Sequence, residues 1–242
     1  REHGLRHLST LLKFNHISCE ARANTPASKE LPFCLTYGEQ SMAIAMMYDH
    51  FRPDITPDEQ QVFDDVVDRF HLKEGLKLLE SPMWWVNKDW SNWNGVCAGG
   101  LGTLALSLYT DRPEAQKLIP FVEESLGHYF SSYIENGGGN HEGTGYWNYG
   151  MNYAMRYVLS WENATGKKHP ALKIKELARS LHFPLDFTGI SFGDNDGWGP
   201  TAFFFLLAQR LGERDAALRA AAYLPDKVTV KGKRNSDHAN NG

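Results

Sequence analysis

The sequence predicts an all-α protein built from antiparallel helical hairpins. Three observations favour this fold class. Segments of about ten to twenty residues carry apolar side chains at three- and four-residue spacings, short connectors rich in glycine and proline separate them, and a strand-like alternation is present only at 228–231. Because no strict internal repeat of about 34 or 40 residues is found, an incomplete α/α toroid is favoured over a tetratricopeptide or HEAT array.

The first helices have clear start and stop signals. Residues 1–40 predict a helix, a long connection and a second helix start, and 37–51 predicts a helix that Pro53 ends. Thr56 precedes a proline and two acidic residues, which is typical of a helix start. The apolar face of that helix comprises Val62, Val66, Val67 and Phe70.

Further helices are predicted after residue 95. The first of them is rich in glycine and alanine, which allows neighbouring helices to approach its backbone closely. The predicted ranges are 96–108, 111–133, 144–161, 170–181, 201–211 and 214–223. Three connecting segments, 84–97, 137–150 and 186–200, are the richest in Asn, His, Glu, Asp, Tyr and Trp, and we expect them to line a single cleft.

Composition and charge exclude several classes of protein. The chain is 42% hydrophobic and 22% charged, as ordinary globular proteins are, and its 242 residues suffice for a sizeable core. The net charge of −4 and the pI of about 6.2 argue against nucleic acid as a partner. No apolar run approaches the length of about 18 residues that a membrane span requires. Because Arg1 does not open a signal-peptide pattern, we expect a mature or trimmed chain.

Two compositional features leave alternatives open. Cys19, Cys34 and Cys97 are odd in number and lack metal-ligand spacing, so they do not identify a redox compartment. The 7 Trp, 10 Tyr and 13 Phe could stack on sugar rings or pack in the core. Tryptophans alternate with polar residues most densely at 81–94.

The second connecting segment, 137–150, combines glycines with side chains that can carry protons. It contains His141, Glu142, Tyr146 and Tyr149. Its glycines permit close approach to a ligand, and a helix starting within it would direct its first backbone N–H groups at an anion. Alternatively, Glu142 could cap that helix and the tyrosines could pack against its neighbours.

Other polar residues have both a functional and a structural interpretation. The acidic cluster 194–196 could hold a metal or serve a hydrolase, or it could form Asx turns that cap the next helix. Asn92, Asn94 and Lys88 could bind or neutralise a carboxylate, or the asparagines could belong to a buried turn. His238 lies in a polar tail where packing does not require it.

Three motifs together carry a resemblance to a known family. They are SNWNGVCAGGL at 91–101, NHEGTGYWNYG at 140–150 and FGDNDGW at 192–198. In this combination they resemble the helical domain of the heparinase II/III-like polysaccharide lyases. The tail GKRNSDHANNG at 232–242 is similar to the junction through which that family enters a β-sandwich domain. The dermatan sulfate epimerases share the helical motifs, so the resemblance does not separate a lyase from an epimerase.

The resemblance implies catalytic roles for three residues. Tyr146 matches the family tyrosine that acts as an acid at the scissile linkage, and in some members as a base. Tyr149, one turn further on, is the alternative. His238 matches a junction histidine that family members bring over the cleft. Asn240 and Gly242 stand where members have a metal-binding histidine and an aspartate, so no metal ligand is assigned in this chain.

The resemblance also implies contacts with the substrate. Asn92 and Asn94 match the region that holds the uronate carboxylate. Many members have a histidine there, whereas this chain offers Lys88, Trp90 and Trp93. The other residues assigned to substrate binding are His141, Glu142, Trp147 and Trp198.

The implied activity is β-elimination at a uronic acid by a carbon–oxygen lyase that acts on an acidic polysaccharide. The implied organisation is an α/α toroid at 1–226 and a junction at 227–242 that leads into a missing β-sandwich domain. No cofactor is implied within this chain, and a structural metal would belong to the second domain. A polymeric substrate implies a secreted or periplasmic protein. The oligomeric state is left open.

Three alternatives to the lyase remain. Uronyl C5-epimerisation would use the same residues. A glycoside hydrolase on an α/α toroid would need two carboxyl groups, Glu142 with Asp194 or Asp196. A non-catalytic glycan-binding member would result if the missing histidine abolishes turnover. Since no arginine cluster indicates a sulfate site, a poorly sulfated polymer is the expected substrate.

Overall fold

The structure is a computed structural model that describes residues 2–13, 33–190 and 198–224. All regular secondary structure in these ranges is helical, which confirms the predicted all-α class. None of the helices described is both long enough and apolar enough to cross a lipid bilayer. The strand-like pattern at 228–231 lies outside the described residues.

The α-helices are numbered in chain order. Their bounds are α1 Glu2–Leu11, α2 Leu35–Phe51, α3 Pro57–Val66, α4 Lys73–Glu80, α5 Asn92–Ser107, α6 Pro113–Glu135, α7 Thr144–Thr165, α8 Lys175–Arg179, α9 Phe183–Asp186, α10 Ala202–Leu211 and α11 Arg214–Ala221. Short 3₁₀ turns at Arg52–Asp54 and Pro170–Lys173 follow α2 and precede α8. A π-helical stretch, Val67–Leu72, joins α3 to α4 without a break.

α3 begins where its start signal predicts. Thr56 Oγ1 accepts a hydrogen bond from Glu59 N at 3.4 Å, and Glu59 Oε2 accepts one from Thr56 N at 2.8 Å. These two bonds form a capping box, which satisfies backbone donors that a helix start leaves unpaired. The predicted apolar face is confirmed for Val66, Val67 and Phe70, which are all buried.

α5 is the central helix of the described fold. It packs against α2, α6 and α7, and most of its residues are buried. A Cβ at Gly100 would overlap the carbonyl oxygen of Gly38 in α2, and a Cβ at Gly99 would lie 2.5 Å from the backbone of Tyr153 in α7. The predicted close approach of helices at these glycines is therefore confirmed.

Several helix bounds differ from the sequence prediction, and two of the differences are the most informative. α5 begins at Asn92 rather than at 96, because Ser91 caps it and the Glu142 carboxylate accepts its first N–H. The predicted helix 170–181 is divided into a 3₁₀ turn and α8 by Ile174, whose φ of −75° and ψ of 111° are extended. The first difference matters for the candidate site, since it places Asn92 inside α5.

Candidate functional site

The first connecting segment is held against the core by a buried asparagine. Asn94 Nδ2 donates to the carbonyl oxygens of Val86 at 3.0 Å and Lys88 at 3.3 Å, and Asn94 Oδ1 accepts from Ser125 Oγ at 2.9 Å. Asn94 is fully buried, so both of its amide hydrogens are used within the protein. Asn94 therefore holds the segment against α6, and its amide has no hydrogen left to donate to a substrate carboxylate.

Tryptophan side chains lie on the outside of the same segment. Trp84 and Trp90 are each 44% exposed. Trp93 is half-buried, and its ring centroid lies 5.3 Å from that of Trp84. Trp85 is fully buried and belongs to the core. The segment therefore combines core packing with exposed aromatic surface of the kind that stacks on sugar rings.

Glu142 joins the second connecting segment to the first. Its carboxylate accepts hydrogen bonds from Asn92 N at 2.5 Å and from Asn92 Nδ2 at 2.9 Å. Asn92 N is the first backbone donor of α5, so the carboxylate caps that helix and lies at the positive end of its dipole. The sequence left open a capping role toward the following helix, whereas the structure shows capping of α5.

A buried pair of tyrosines lies behind this contact. Asn140 Oδ1 accepts from Glu142 N at 2.9 Å, and Asn140 Nδ2 donates to Tyr133 Oη at 3.2 Å. The hydroxyls of Tyr133 and Tyr129 are 2.8 Å apart. Burial raises the pKa of both phenols, and the nearby Glu142 carboxylate adds to the increase, so both stay protonated at neutral pH. This pair supports the segment and does not supply a base.

Asn92 retains one unused acceptor. The residue is only 2% exposed, and its Oδ1 has no hydrogen-bond partner within the described part of the chain. An unpaired buried carbonyl costs free energy, so a water molecule or a ligand hydroxyl is a suitable partner. A carboxylate would need donors instead, and Nδ2 already donates to Glu142.

Tyr146 and Tyr149 lie in the first two turns of α7. The helix begins at Thr144 after Gly143, whose φ of 98° favours glycine. Tyr146 is half-buried. Tyr149 Oη donates to Glu39 Oε1 of α2 at 2.6 Å, and burial together with this carboxylate raises the pKa of Tyr149. Tyr149 is therefore a protonated phenol at neutral pH that cannot remove a proton, and its raised pKa also makes it a weak acid.

Glu39 also acts on two neighbouring side chains. Tyr153 packs edge-on against Tyr149, with ring centroids 5.7 Å apart. Burial raises the pKa of Tyr153, and the negative charge of Glu39 adds to the increase. The free thiol of Cys97 is buried. Burial raises the pKa of this thiol and the charge of Glu39 raises it further, so Cys97 is a poor nucleophile. Sequence reasoning missed Glu39 because no local motif marks it.

One phenylalanine of α10, Phe204, contacts tryptophans of both the second and the third connecting segments. The ring centroid of Trp198, which is half-buried, lies 5.1 Å from that of Phe204, and the centroid of Trp147 lies 6.1 Å from the same ring. Trp198 of the third segment and Trp147 of the second therefore pack against the same ring of α10. Trp147 is 1% exposed and packs in the core, so it has no surface for a substrate.

The remaining predicted site residues are exposed or lie outside the described ranges. His141 is exposed, and its Nε2 lies 2.8 Å from Asn136 Nδ2. Among the described residues, no group of three or more His, Cys, Asp or Glu side chains is arranged to hold a metal ion. Residues 192–197 of the third motif and the whole tail 232–242 lie outside the described ranges, and with them Asp194, Asp196, His238, Asn240 and Gly242. Their roles stay predictions.

Two buried histidines also escaped the sequence analysis. His71 Nδ1 lies 2.9 Å from Ser41 Oγ, and burial lowers the pKa of His71 to about 3. His169 Nε2 lies 3.1 Å from Glu123 Oε1, which also accepts from Tyr157 Oη at 2.5 Å. Burial alone would raise the pKa of Glu123, but the hydrogen bonds from these two partners lower it. Both histidines belong to packed contacts between helices, which no spacing in the sequence indicates.

Comparison with known proteins does not assign the chain to a family. No model of a known protein family matches the sequence. No curated protein is significantly similar to it. The resemblance to the heparinase II/III-like lyases therefore stays a prediction carried by the three motifs and the tail.

Proposed function

We propose that this protein cleaves a uronic-acid-containing glycan by β-elimination, with Tyr146 as the acid for the departing oxygen. The observation that carries the proposal is the position of Glu142. Because its carboxylate binds two nitrogens of Asn92, Glu142 acts as a cap for α5 and is poorly placed to act as a proton carrier. Of the two phenols at the start of α7, Tyr149 is the weaker choice as an acid because its pKa is raised, so Tyr146 is the proposed proton donor.

The proposed reaction is a single elimination. A base removes the proton from C5 of the uronate, the C5–H electron pair forms the C4=C5 double bond, and the C4–O bond breaks. Tyr146 donates its phenolic proton to the departing oxygen, which becomes a sugar hydroxyl. The other product is an unsaturated uronate.

Two roles remain, the base and the cation that neutralises the carboxylate. His238 is the proposed base, as the resemblance implies, and Tyr149 is unsuited to that role because it stays protonated beside Glu39. The negative charge of the carboxylate opposes loss of the C5 proton and has to be neutralised. Lys88 is exposed in the same segment as Trp90 and is the proposed cation.

The wider features of the chain are consistent with this proposal. α5 packs on the next helix, α6, and on the helix after that, α7, which is compatible with the helical hairpins of the proposed α/α toroid. The exposed rings of Trp84 and Trp90 supply stacking surface for an acidic polysaccharide. Cys34 is disulfide-bonded, and disulfides persist in oxidising compartments, which supports the proposed secreted or periplasmic location.

An absorbance assay on the chain and on Tyr146→Phe tests the proposal. Elimination creates an unsaturated uronate that absorbs in the ultraviolet, whereas hydrolysis creates no such chromophore. We expect at least one member of a panel of uronate polysaccharides to give this product. Tyr146→Phe keeps the aromatic ring and removes the transferable proton, so it should slow the reaction by a factor of about 10² to 10⁴ at an unchanged melting temperature.

Tyr149→Phe is the matched control, since it removes a phenol one turn along the same helix. It should retain most of the activity. If Tyr146→Phe keeps its activity and Glu142→Gln loses it, a carboxylate mechanism replaces the proposed one. Exchange of the C5 hydrogen for solvent deuterium without a chromophore would identify an epimerase, and saturable binding with neither change would identify a glycan-binding protein.

A further inference from the structure

A large cavity is lined by residues of α2, α5, α7, α10 and the segment that joins α7 to α8. Its volume is about 1130 Å³, slightly larger than the range of about 300 to 1,000 Å³ that is typical of small-molecule sites. Among the residues that the structure describes, one carboxylate, that of Glu162, lines it. The cations that line it are Arg156, Lys167, Lys168, Lys173 and Arg210.

Most of this positive charge lacks a compensating negative charge. Arg210 pairs with Glu162. Within the described ranges, no carboxylate lies at ion-pair distance from Arg156 or from the three lysines. The chain as a whole carries a net charge of −4, so the excess of cations is local. Cations around a cavity repel one another, and an anionic ligand relieves that repulsion.

Arg156 is oriented before any ligand arrives. Its Nε donates to Asn152 Oδ1 at 2.7 Å, and its guanidinium carbon lies 4.7 Å from the centroid of the Phe203 ring. These contacts fix the plane of the guanidinium and leave its Nη groups without an acceptor among the described residues. A fixed guanidinium of this kind is suited to binding a carboxylate or a sulfate.

The cavity also presents apolar and hydrogen-bonding surface. Met46 and Leu206 line the cavity, and 53% and 42% of their surfaces are exposed to solvent. Phe203 also lines the cavity. Ser160 and Asn163 add polar groups. A sugar ring has an apolar C–H face and a rim of hydroxyls, so an acidic sugar complements this mixture better than a purely ionic chain such as polyphosphate.

The cavity shares a face of α7 with the candidate site. Tyr146, Tyr149, Tyr153, Arg156 and Ser160 follow one another at spacings of three and four residues, which place them on one side of the helix. At a rise of about 1.5 Å per residue, Arg156 lies about 15 Å along the helix from Tyr146. A short oligosaccharide is long enough to span that distance.

We propose that this cationic cavity binds an acidic oligosaccharide segment at a distance from the bond that is cleaved. That the ligand is a glycan rests on the proposed function. That the ligand is anionic rests only on the cations that line the cavity. The group recognised is an oxyanion on a sugar ring, which either a carboxylate or a sulfate can provide.

Calorimetric titration of the whole chain with four probes tests the class of ligand. The probes are a carboxylated hexasaccharide, a hexasaccharide that is also sulfated, a neutral hexasaccharide and inorganic polyphosphate. We expect both acidic hexasaccharides to bind at least about tenfold more tightly than the other two probes. Stronger binding of the sulfated probe assigns the site to sulfate, and equal binding assigns it to carboxylate. Equal binding of the neutral sugar or of polyphosphate would overturn the proposal.

Paired charge variants locate the binding. Lys167→Gln/Lys168→Gln removes two cavity lysines, and Lys73→Gln/Lys117→Gln removes two exposed lysines elsewhere, so both variants change the net charge equally. The first should weaken binding of the carboxylated hexasaccharide about tenfold and the second less than twofold. Lys167→Arg/Lys168→Arg should restore affinity. Equal losses in both glutamine variants would refute a localised site.

The outcomes for the cavity and for the proposed function are separable. If the hexasaccharide binds through the cavity lysines and no unsaturated product forms on any uronate polysaccharide, the cavity assignment holds and the lyase proposal fails. If the product forms and the cavity variant leaves both affinity and turnover unchanged, the lyase proposal holds and the cavity assignment fails.

Discussion

At the scale of single residues, the Glu142 carboxylate is expected to stabilise the start of α5. Glu142→Gln removes the negative charge beside the first N–H of the helix and weakens both bonds to Asn92. The free energy of unfolding should fall by about 1 to 2 kcal/mol, as measured by chemical denaturation. Glu135→Gln, at the exposed end of α6, is the control and should change it by less than about 0.5 kcal/mol. Equal stabilities would show that the cap contributes nothing.

His71 is expected to make the fold sensitive to acid. Burial lowers its pKa to about 3, whereas an unfolded histidine titrates near 6.5. Below about pH 6.5 the unfolded chain gains a proton that the folded chain does not bind, so stability falls as the pH decreases. Between pH 7 and pH 5 this single group should cost about 2 kcal/mol of the free energy of unfolding.

His71→Phe isolates this effect. The phenyl ring retains a contact with Tyr37, whose ring centroid lies 5.7 Å from that of His71, and it cannot bind a proton. Denaturation midpoints measured at pH 7 and pH 5 should differ less in this variant than in the parent chain. His50→Phe, at an exposed position, is the control for removal of a histidine. An unchanged pH dependence in His71→Phe would contradict the assignment.

At the scale of elements, α5 depends on the absence of side chains where it crosses α2. Gly100→Ala would place a methyl group against the carbonyl oxygen of Gly38, and backbone cannot move aside as a flexible side chain can. We expect this variant to lose about 3 kcal/mol or more of stability. Thermal denaturation followed by circular dichroism measures the loss.

The matched control is a second helical glycine with open surroundings. A Cβ at Gly127 of α6 would meet nothing within 4 Å. Gly127→Ala should therefore stabilise the protein by about 0.5 to 1 kcal/mol, because alanine is the better helix former. If both alanine variants are equally tolerated, α2 and α5 do not cross at Gly100 as described.

At the scale of the whole molecule, stability is expected to be highest in the centre of the helical layer. α5 is enclosed by α2, α6 and α7, whereas α1 packs mainly on α3. Hydrogen exchange measured by mass spectrometry should show amides of α5 exchanging only through global unfolding, and amides of α1 exchanging faster. Similar protection in the two helices would mean that α5 is not the centre of the fold.

The sequence by itself determined the helical class and most helix ends. Apolar spacing, capping residues, proline and glycine act within a few neighbouring positions, so their meaning can be read locally. The capping box at Thr56 and the close contacts at Gly99 and Gly100 follow from such local signals. The start of α5 at Asn92 did not, because its cap is supplied by Glu142 from another segment.

Only the tertiary structure decided which polar side chains remain available to a ligand. Asn92 and Asn94 belong to one motif, yet Asn94 has both amide hydrogens bound within the protein, whereas Asn92 Oδ1 has no partner among the described residues. Glu39 meets Tyr149 across 110 positions of sequence. The cationic cavity likewise collects its cations from α7, α10 and the segment between α7 and α8. Such groupings depend on how helices dock, and a local pattern carries no information about docking.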